Sequence, residues 1–365
     1  SGGEGQQSRM RHFFLVLALF GVLHGAAHAR PWISAYCLAA GPLSADQVDY
    51  TAFSHLIHFG IFVNADGTVN PKSGITQAQS EAVIGRAHAA GCKVLVCLGT
   101  DQNGVRLRRA LQEDMRPALV RNLVAFVQAR GYDGLDLDME PLEDADVSTY
   151  EPFVRELRAA LGPNLLLTAA VAAQPAMFAR LQDAFDQINL MTYDLSGPWP
   201  GFRSWYNAGL YGSGTDAMAD GSPYPSVDGM VHEFTGAGVA PAKLGIGIAF
   251  YGYVWTGVDG PRQDQPEGLK VDDSVDYNVI MDKWYQPDRY HWDSVAQAPW
   301  LGIDSPQKTF VSYDDETLVD RKLRYVREQG LGGAIIWELS GGWRSREKQK
   351  DALQQAVKRA WLQDP

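Results

Sequence analysis

Cysteine is scarce. Cys37, Cys92 and Cys97 are the only three in 365 residues. They allow one disulfide at most, with one thiol left over, and no metal-ligand spacing surrounds them. Cys92 and Cys97 flank and enter an apolar stretch, so buried thiols are the default expectation. Basic residues are also outnumbered, 32 against 43 acidic ones, for a net charge of −11. That balance argues against nucleic acid or an anionic membrane as a partner. No Ser/Thr/Pro-rich linker, internal repeat or low-complexity tract interrupts the chain. A separate appended binding module is therefore not expected. No Gly-rich phosphate loop follows the first predicted strand, which counts against a dinucleotide-binding fold.

The apolar run at residues 13–23 is too short to be read as a membrane span. Arg9, Arg11 and His12 precede it, and Ala27-His28-Ala29 follows. A basic start, a short apolar centre and an A-x-A site predict a secretory signal peptide cleaved after Ala29, with Met10 as the natural start. An apolar N-terminal helix is the alternative. Residues 1–29 are thus expected to be leader and signal peptide. The product is expected to be secreted, extracellular or periplasmic, free of the membrane after cleavage, and monomeric. Losing residues 1–29 removes Glu4, Arg9 and Arg11 and makes the remainder one unit more acidic.

What remains alternates short apolar strands with amphipathic helices from end to end, the pattern of a parallel sheet with helical crossovers. Strands are predicted at 32–37, 55–62, 93–99, 134–139, 165–171, 187–193, 243–250 and 332–338. Helices are predicted at 76–90, 114–130, 147–161, 314–329 and 345–362, the first four ending at Gly91, Gly131, Gly162 and Gly330. Eight such strands fit a closed (β/α)8 barrel, a fold that regularly reaches this length. The segment after strand seven, about 251–310, is long and rich in Trp, Tyr, Asp and Pro. A disordered loop would not carry so many aromatics.

One octapeptide, DGLDLDME at 133–140, says most about function. Asp136, Asp138 and Glu140 alternate with Leu135, Leu137 and Met139, giving a strand with one acidic and one apolar face. A calcium loop would want a central Gly and polar residues between its ligands. A solvated edge would not need Leu-Leu-Met packed under helices. A buried row of carboxyls is costly and unlike a feature kept for stability. It also pushes the members' pKa values apart, which is how one of them is kept protonated as a general acid. Glu140 falls at the end of strand four, where barrels of this kind keep their active sites.

The octapeptide resembles the DxxDxDxE signature of family 18 glycoside hydrolases, the chitinases and their relatives. The matching positions are Asp133, Asp136, Asp138 and Glu140; Met139 stands where Trp is usual. Further on, MTYD resembles the family's M-x-Y-D, with Met191, Tyr193 and Asp194, and places Trp199 on the aglycone side. SWYNAGLY is similar to HNAPLY, with Asn207, Leu210 and Tyr211 matching. KLGIGIAFYG resembles KLxxGIPxYG and brings in Tyr251. Trp337 stands at the position of the tryptophan that floors the −1 sugar. Tyr36 is retained on strand one, after Ala35 in place of Gly. Strand three departs: VCLGT replaces S-x-G-G, and Cys97 stands where a serine supports the acidic row. Segment 251–310 resembles a shortened form of an α+β insertion found in some members.

The resemblance implies a catalytic domain over 30–365, acting on chitin or chito-oligosaccharide by a retaining, substrate-assisted route, without metal or organic cofactor. It implies Glu140, Asp138, Asp136 and Tyr193 as catalytic residues. It implies Tyr36, Asp133, Met191, Asp194, Trp199, Asn207, Tyr211, Tyr251 and Trp337 as substrate contacts. Alone, Tyr193 and Trp337 would read as ordinary core aromatics. Two rival activities stand beside this one: an endo-β-N-acetylglucosaminidase on N-glycans, and a non-catalytic chitin-binding lectin.

Overall fold

A computed structural model describes residues 29–363 except Ser73 and the side chain of Gln102. The expected leader and signal peptide therefore lies, but for Ala29, outside the described residues. The strands are β1 (Trp32–Leu38), β2 (His55–Ile61), β3 (Lys93–Leu98), β4 (Gly134–Asp138), β5 (Leu166–Val171), β6 (Gln187–Leu190), β7 (Leu244–Ala249), β8 (Tyr251–Thr256), β9 (Lys270–Asp276), β10 (Tyr290–Asp293), β11 (Ala298–Ile303), β12 (Thr309–Tyr313) and β13 (Gly333–Trp337). The helices are α1 (Gln77–Ala89), α2 (Val105–Ala110), α3 (Arg116–Arg130), α4 (Val147–Leu161), α5 (Pro175–Leu181), α6 (Val227–Gly236), α7 (Tyr277–Lys283), α8 (Glu316–Glu328) and α9 (Ala352–Leu362).

Strands β1 to β7 and β13 close into a parallel barrel, as expected, with β13 between β7 and β1. Each barrel strand sends alternate side chains outward under the helices and inward to the axis. On β4 the outward set is Leu135 and Leu137, followed by Met139, all in the outer apolar core. Asp136 and Asp138 consequently point inward. The lowest interior layer is polar and self-contained. Ser34 donates to Gln187 at 2.7 Å, and Trp32 Nε1 donates to Asn189 at 2.9 Å. Gly245 is required here, because a Cβ on it would stand 2.2 Å from Asn189 Oδ1.

Segment 251–313 is ordered structure. Strands β8 to β12 form an antiparallel sheet in the order β10-β11-β12-β8-β9, with α7 packed beside it. This is the α+β insertion that the sequence suggested. Tyr251, Tyr253 and Trp255 lie on β8 and are buried.

Other differences have local causes. β6 stops at Leu190 and not at Tyr193, because the chain turns into a loop that puts Asp194 at φ 56°. The C-terminal helix begins at Ala352 and not at 345. Residues 345–350 are polar and mostly exposed, with no apolar face to bury. Helices α2, α5 and α6 were not expected. They are short, and their apolar residues span too few turns to show a period.

A buried ion pair ties the last crossover to the barrel. Lys322 of α8 donates to Asp314 Oδ2 at 2.6 Å and to the Gly247 carbonyl at 2.9 Å. The same Asp314 oxygen accepts from Ala249 N at 3.1 Å. Burial pushes the Asp314 carboxyl up and the Lys322 ammonium down, and each partner's charge opposes the shift of the other. Removing one member of a buried pair strands the other charge. Lys322→Met should therefore destabilise the fold by about 3–5 kcal/mol, and Asp314→Leu added to it should recover much of that loss. Urea unfolding of the two variants checks this; equal losses in both would contradict it.

Candidate active site

At the C-terminal ends of the barrel strands lies a cleft of about 250 Å³, lined by residues that include Tyr36, Asp138, Glu140, Met191, Tyr193, Asp194, Tyr251 and Trp337. Its floor is the inward face of β4. The deepest carboxyl, Asp136, is fully buried. Tyr36 donates to its Oδ2 at 2.7 Å and Thr168 to its Oδ1 at 2.6 Å. The Cys97 thiol is buried opposite Asp136 in the β3–β4 register. Burial raises the Asp136 carboxyl, and the hydrogen bonds from Thr168 and Tyr36 oppose that rise.

Asp138 sits one step higher. Its carboxyl is held well above the ordinary range, first by burial and then by the charges of Glu140 and Asp136. Its Oδ1 is buried with no protein hydrogen-bond partner among the described residues. Glu140 follows at the mouth and is exposed. The row thus sets a carboxyl whose charged form is disfavoured beneath an accessible one.

Across the cleft, Tyr193 lies flat against β7. A Cβ on Gly247 would stand 2.6 Å from its ring. Burial, then Asp138 and Glu140, push the Tyr193 phenol up, so its hydroxyl stays a donor. Asp194 follows in a left-handed backbone, which Asp tolerates better than most residues. Its Oδ1 accepts from Tyr251 at 2.6 Å and from Tyr253 at 2.9 Å. Trp337 closes one side, its ring edge-on to Phe59 at 5.3 Å and tilted against Tyr36 at 5.3 Å.

Eight of the residues singled out from sequence line the cleft and Asp136 lies beneath them, but Asp133, Asn207, Tyr211 and Trp199 do not. Asp133 precedes β4 at its N-terminal end, the opposite end of the barrel. There it bonds His88 Nε2 at 2.7 Å and accepts from Val94 N at 2.7 Å. Asn207 is fully buried behind the cleft, where its Oδ1 accepts from Asp194 N at 2.7 Å. Tyr211 packs on the outside, its ring edge-on to Tyr325 of α8 at 6.0 Å. In each case the match placed the residue in the chain without fixing which way its side chain points. Trp199 is 45 % exposed, on the loop after β6, edge-on to Phe202 at 5.0 Å and not among the cleft-lining side chains.

Sequence reasoning missed Thr168, Tyr253 and Thr100. Thr168 pairs with Asp136 across β4 and β5. A lone hydroxyl in an apolar strand beside the acidic one was the available signal. Tyr253 shares a face of β8 with Tyr251, which period 2 would have shown had that segment been read as a strand. Thr100 bonds the backbone on both sides of Met139.

Fold and site together define the class: a (β/α)8 barrel whose polar machinery is a carboxyl row at the C-terminal end of one strand. The glycosyl hydrolases family 18 model matches residues 43–342, and the chain belongs to that family. It is similar to a probable endochitinase of Caenorhabditis elegans, 30% identical over 248 residues covering 61% of this chain and 39% of that protein. It is also similar to chitinase A1 of Niallia circulans, 31% identical over 261 residues covering 62% of this chain and 37% of that protein. The matched part is thus under two fifths of these relatives' length. Among solved structures, chitinase ChiA74 from Bacillus thuringiensis superposes with a TM-score of 0.76 at 23% identity, covering 92% of this chain and 70% of that one. Catalytic domain 2 of the Ostrinia furnacalis Group II chitinase gives 0.77 at 22%, covering 92% and 98%. At these identities the structural likeness speaks for the fold.

Raised carboxyls bear on stability with a definite sign. A folded-state pKa above the unfolded value means the native state holds the proton longer, so stability falls as pH rises from about 4, the unfolded Asp value. Asp138→Asn removes that loss. Relative to the parent, its melting temperature should climb by several degrees between about pH 4 and pH 7. A pH-independent difference, measured by thermal melts, would mean Asp138 is not protonated in the native state.

Proposed function

We propose that this protein is a secreted chitinase that hydrolyses β-1,4 bonds between N-acetylglucosamine units with retention, using the substrate's own acetamido group as nucleophile. The observation that carries this reading is the buried Asp138 carboxyl, its Oδ1 without a protein partner among the described residues, set between buried Asp136 and exposed Glu140. A buried carboxyl oxygen without a partner is a place for a ligand N–H, and the acetamide offers one. Asp138, once its proton has shifted toward Asp136, would accept from that N–H and steady the positive charge that develops. Tyr193, kept as a phenol, would donate to the acetamido oxygen.

Glu140 would protonate the leaving oxygen while the acetamido oxygen attacks the anomeric carbon. Two inversions at that carbon, the second by water, give net retention. Glycosidases that use an enzymic nucleophile set two carboxyls across the scissile bond. Here Asp136 and Asp138 share one strand face and Glu140 follows just past its end. Asp136, held by Tyr36 and Thr168, would take part of the proton from Asp138 as Glu140 cycles. Tyr36, Met191, Asp194, Tyr251 and Trp337 would bind the sugar beside it, with aromatic faces against pyranose C–H faces. Trp199 would meet the aglycone side. The names of the relatives, chitinases in both curated cases, favour chitin over an N-glycan core. The basic, apolar and A-x-A sequence at 9–29 favours secretion. No helix of the described residues is long and apolar enough to cross a membrane.

Glu140→Gln should abolish turnover of chitin oligomers while leaving their binding, since it is nearly isosteric but has no proton to transfer, and general acid catalysis contributes about 10²–10⁴-fold. Parent and variant would be compared on chitin oligomers and on a high-mannose glycoprotein, with binding by calorimetry. Cleavage of the glycoprotein alone would point to an endo-β-N-acetylglucosaminidase. Binding without turnover in the parent would point to a lectin.

A further inference from the structure

The chemistry proposed above asks Glu140 to be in one place, yet its backbone has no strand to hold it. The β3–β4 ladder ends with Leu98 opposite Leu137, and the β4–β5 ladder ends with Asp138 opposite Ala170. Glu140 follows two residues after the last β4 residue, and Pro141 behind it has no N–H to anchor the turn. Thr100, just past the end of β3, fills the gap. Its Oγ1 accepts from Glu140 N at 2.9 Å and donates to the Asp138 carbonyl at 3.0 Å. One hydroxyl hydrogen and one lone pair thus close a further rung across the two strands. The side chain is β-branched and stiff at χ1, so the hydroxyl holds its direction.

The same segment grips the chain again one residue on. Arg108 of α2 donates to the Pro141 carbonyl at 2.9 Å and to the Asn103 carbonyl at 2.7 Å. Its guanidinium is fixed by Asp146, with bonds of 2.8 Å and 3.0 Å to the two carboxylate oxygens. Glu140 is thereby held by main-chain contacts on both sides, and its carboxyl stays free at the mouth of the cleft.

We propose that Thr100 is a positioning residue for the general acid: its hydroxyl fixes where Glu140 leaves the strand and so where its proton is delivered. The proposal rests on the reading of Glu140 as the acid. A residue that acts through the acid should matter in proportion to how much the leaving group needs a proton. An unactivated chitin oligomer needs it fully; a 4-methylumbelliferyl chito-oligosaccharide, with an acidic phenolic leaving group, needs it much less.

Thr100→Val keeps the shape and deletes both bonds. It should lower kcat on the unactivated oligomer about 10- to 100-fold with KM within about twofold, because a displacement of about 1 Å can cost about 10²-fold. On the activated substrate the loss should stay below about threefold. Thr100→Ser keeps the hydroxyl and should return the oligomer rate to within about threefold of the parent. Should Thr100→Val fail to fold by circular dichroism, Thr100→Ala and Thr100→Ser on the same two substrates carry the comparison. Equal losses on both substrates, no loss at all, or no rescue by serine would overturn the role of Thr100, provided Glu140→Gln is inactive on the oligomer. Full turnover by Glu140→Gln would instead overturn the reading of Glu140 itself.

Discussion

A row of three carboxyl groups, two on the inward face of β4 and Glu140 just past its end, is the constraint around which this barrel is arranged. Period 2 forces the choice: once Leu135, Leu137 and Met139 face the helices, Asp136 and Asp138 have only the barrel axis to face. Burial of the row is tolerated because the lowest member receives donors from two other strands, Tyr36 on β1 and Thr168 on β5. Burial and the neighbouring carboxyls disfavour the charged form of the middle member, which limits how many charges the interior holds. The upper member reaches solvent. Site chemistry and fold stability therefore pull in opposite directions at Asp138, a frequent arrangement where function demands a costly group.

The opposite wall is built by different means. Asp194 owes its place to a left-handed backbone, to Asn207 behind it and to two tyrosine hydroxyls from β8 in front. Because β8 opens the antiparallel insertion, that sheet does more than raise one side of the cleft: it fixes the carboxyl beside Tyr193. The buried pair Lys322–Asp314 serves the same wall from outside the barrel, through Gly247 and Ala249, and Gly247 is where the Tyr193 ring rests.

The barrel was legible in the sequence because buried parallel strands are short apolar runs and four of the helices end in glycine. The acid row was legible because alternation over the six residues 135–140 leaves one geometry for β4. Side chains outside a strict alternation were not. Asp133 belongs to the motif, but it precedes the strand and serves the far end of the barrel. Tyr211 belongs to a matching stretch, but it turns outward against Tyr325. Thr100, Thr168 and Tyr253 carry no motif of their own; each becomes visible only when neighbouring strands are set side by side. Pattern along the chain tells which face a residue takes, and register between chain segments tells what it meets.

The central claim is that Asp138 and Tyr193 act together on one acetamido group, from its nitrogen and its oxygen. The most direct measurement is a double-mutant cycle of Asp138→Asn and Tyr193→Phe in kcat and kcat/KM on a chitin oligomer. Residues that serve one transition-state group are non-additive, and contacts that strengthen as charge develops act on kcat more than on KM. Each single change is expected to lower kcat, and the double variant to lose far less than the product of the single losses. Strict additivity, or effects confined to KM, would contradict the shared acetamide and with it the substrate-assisted route.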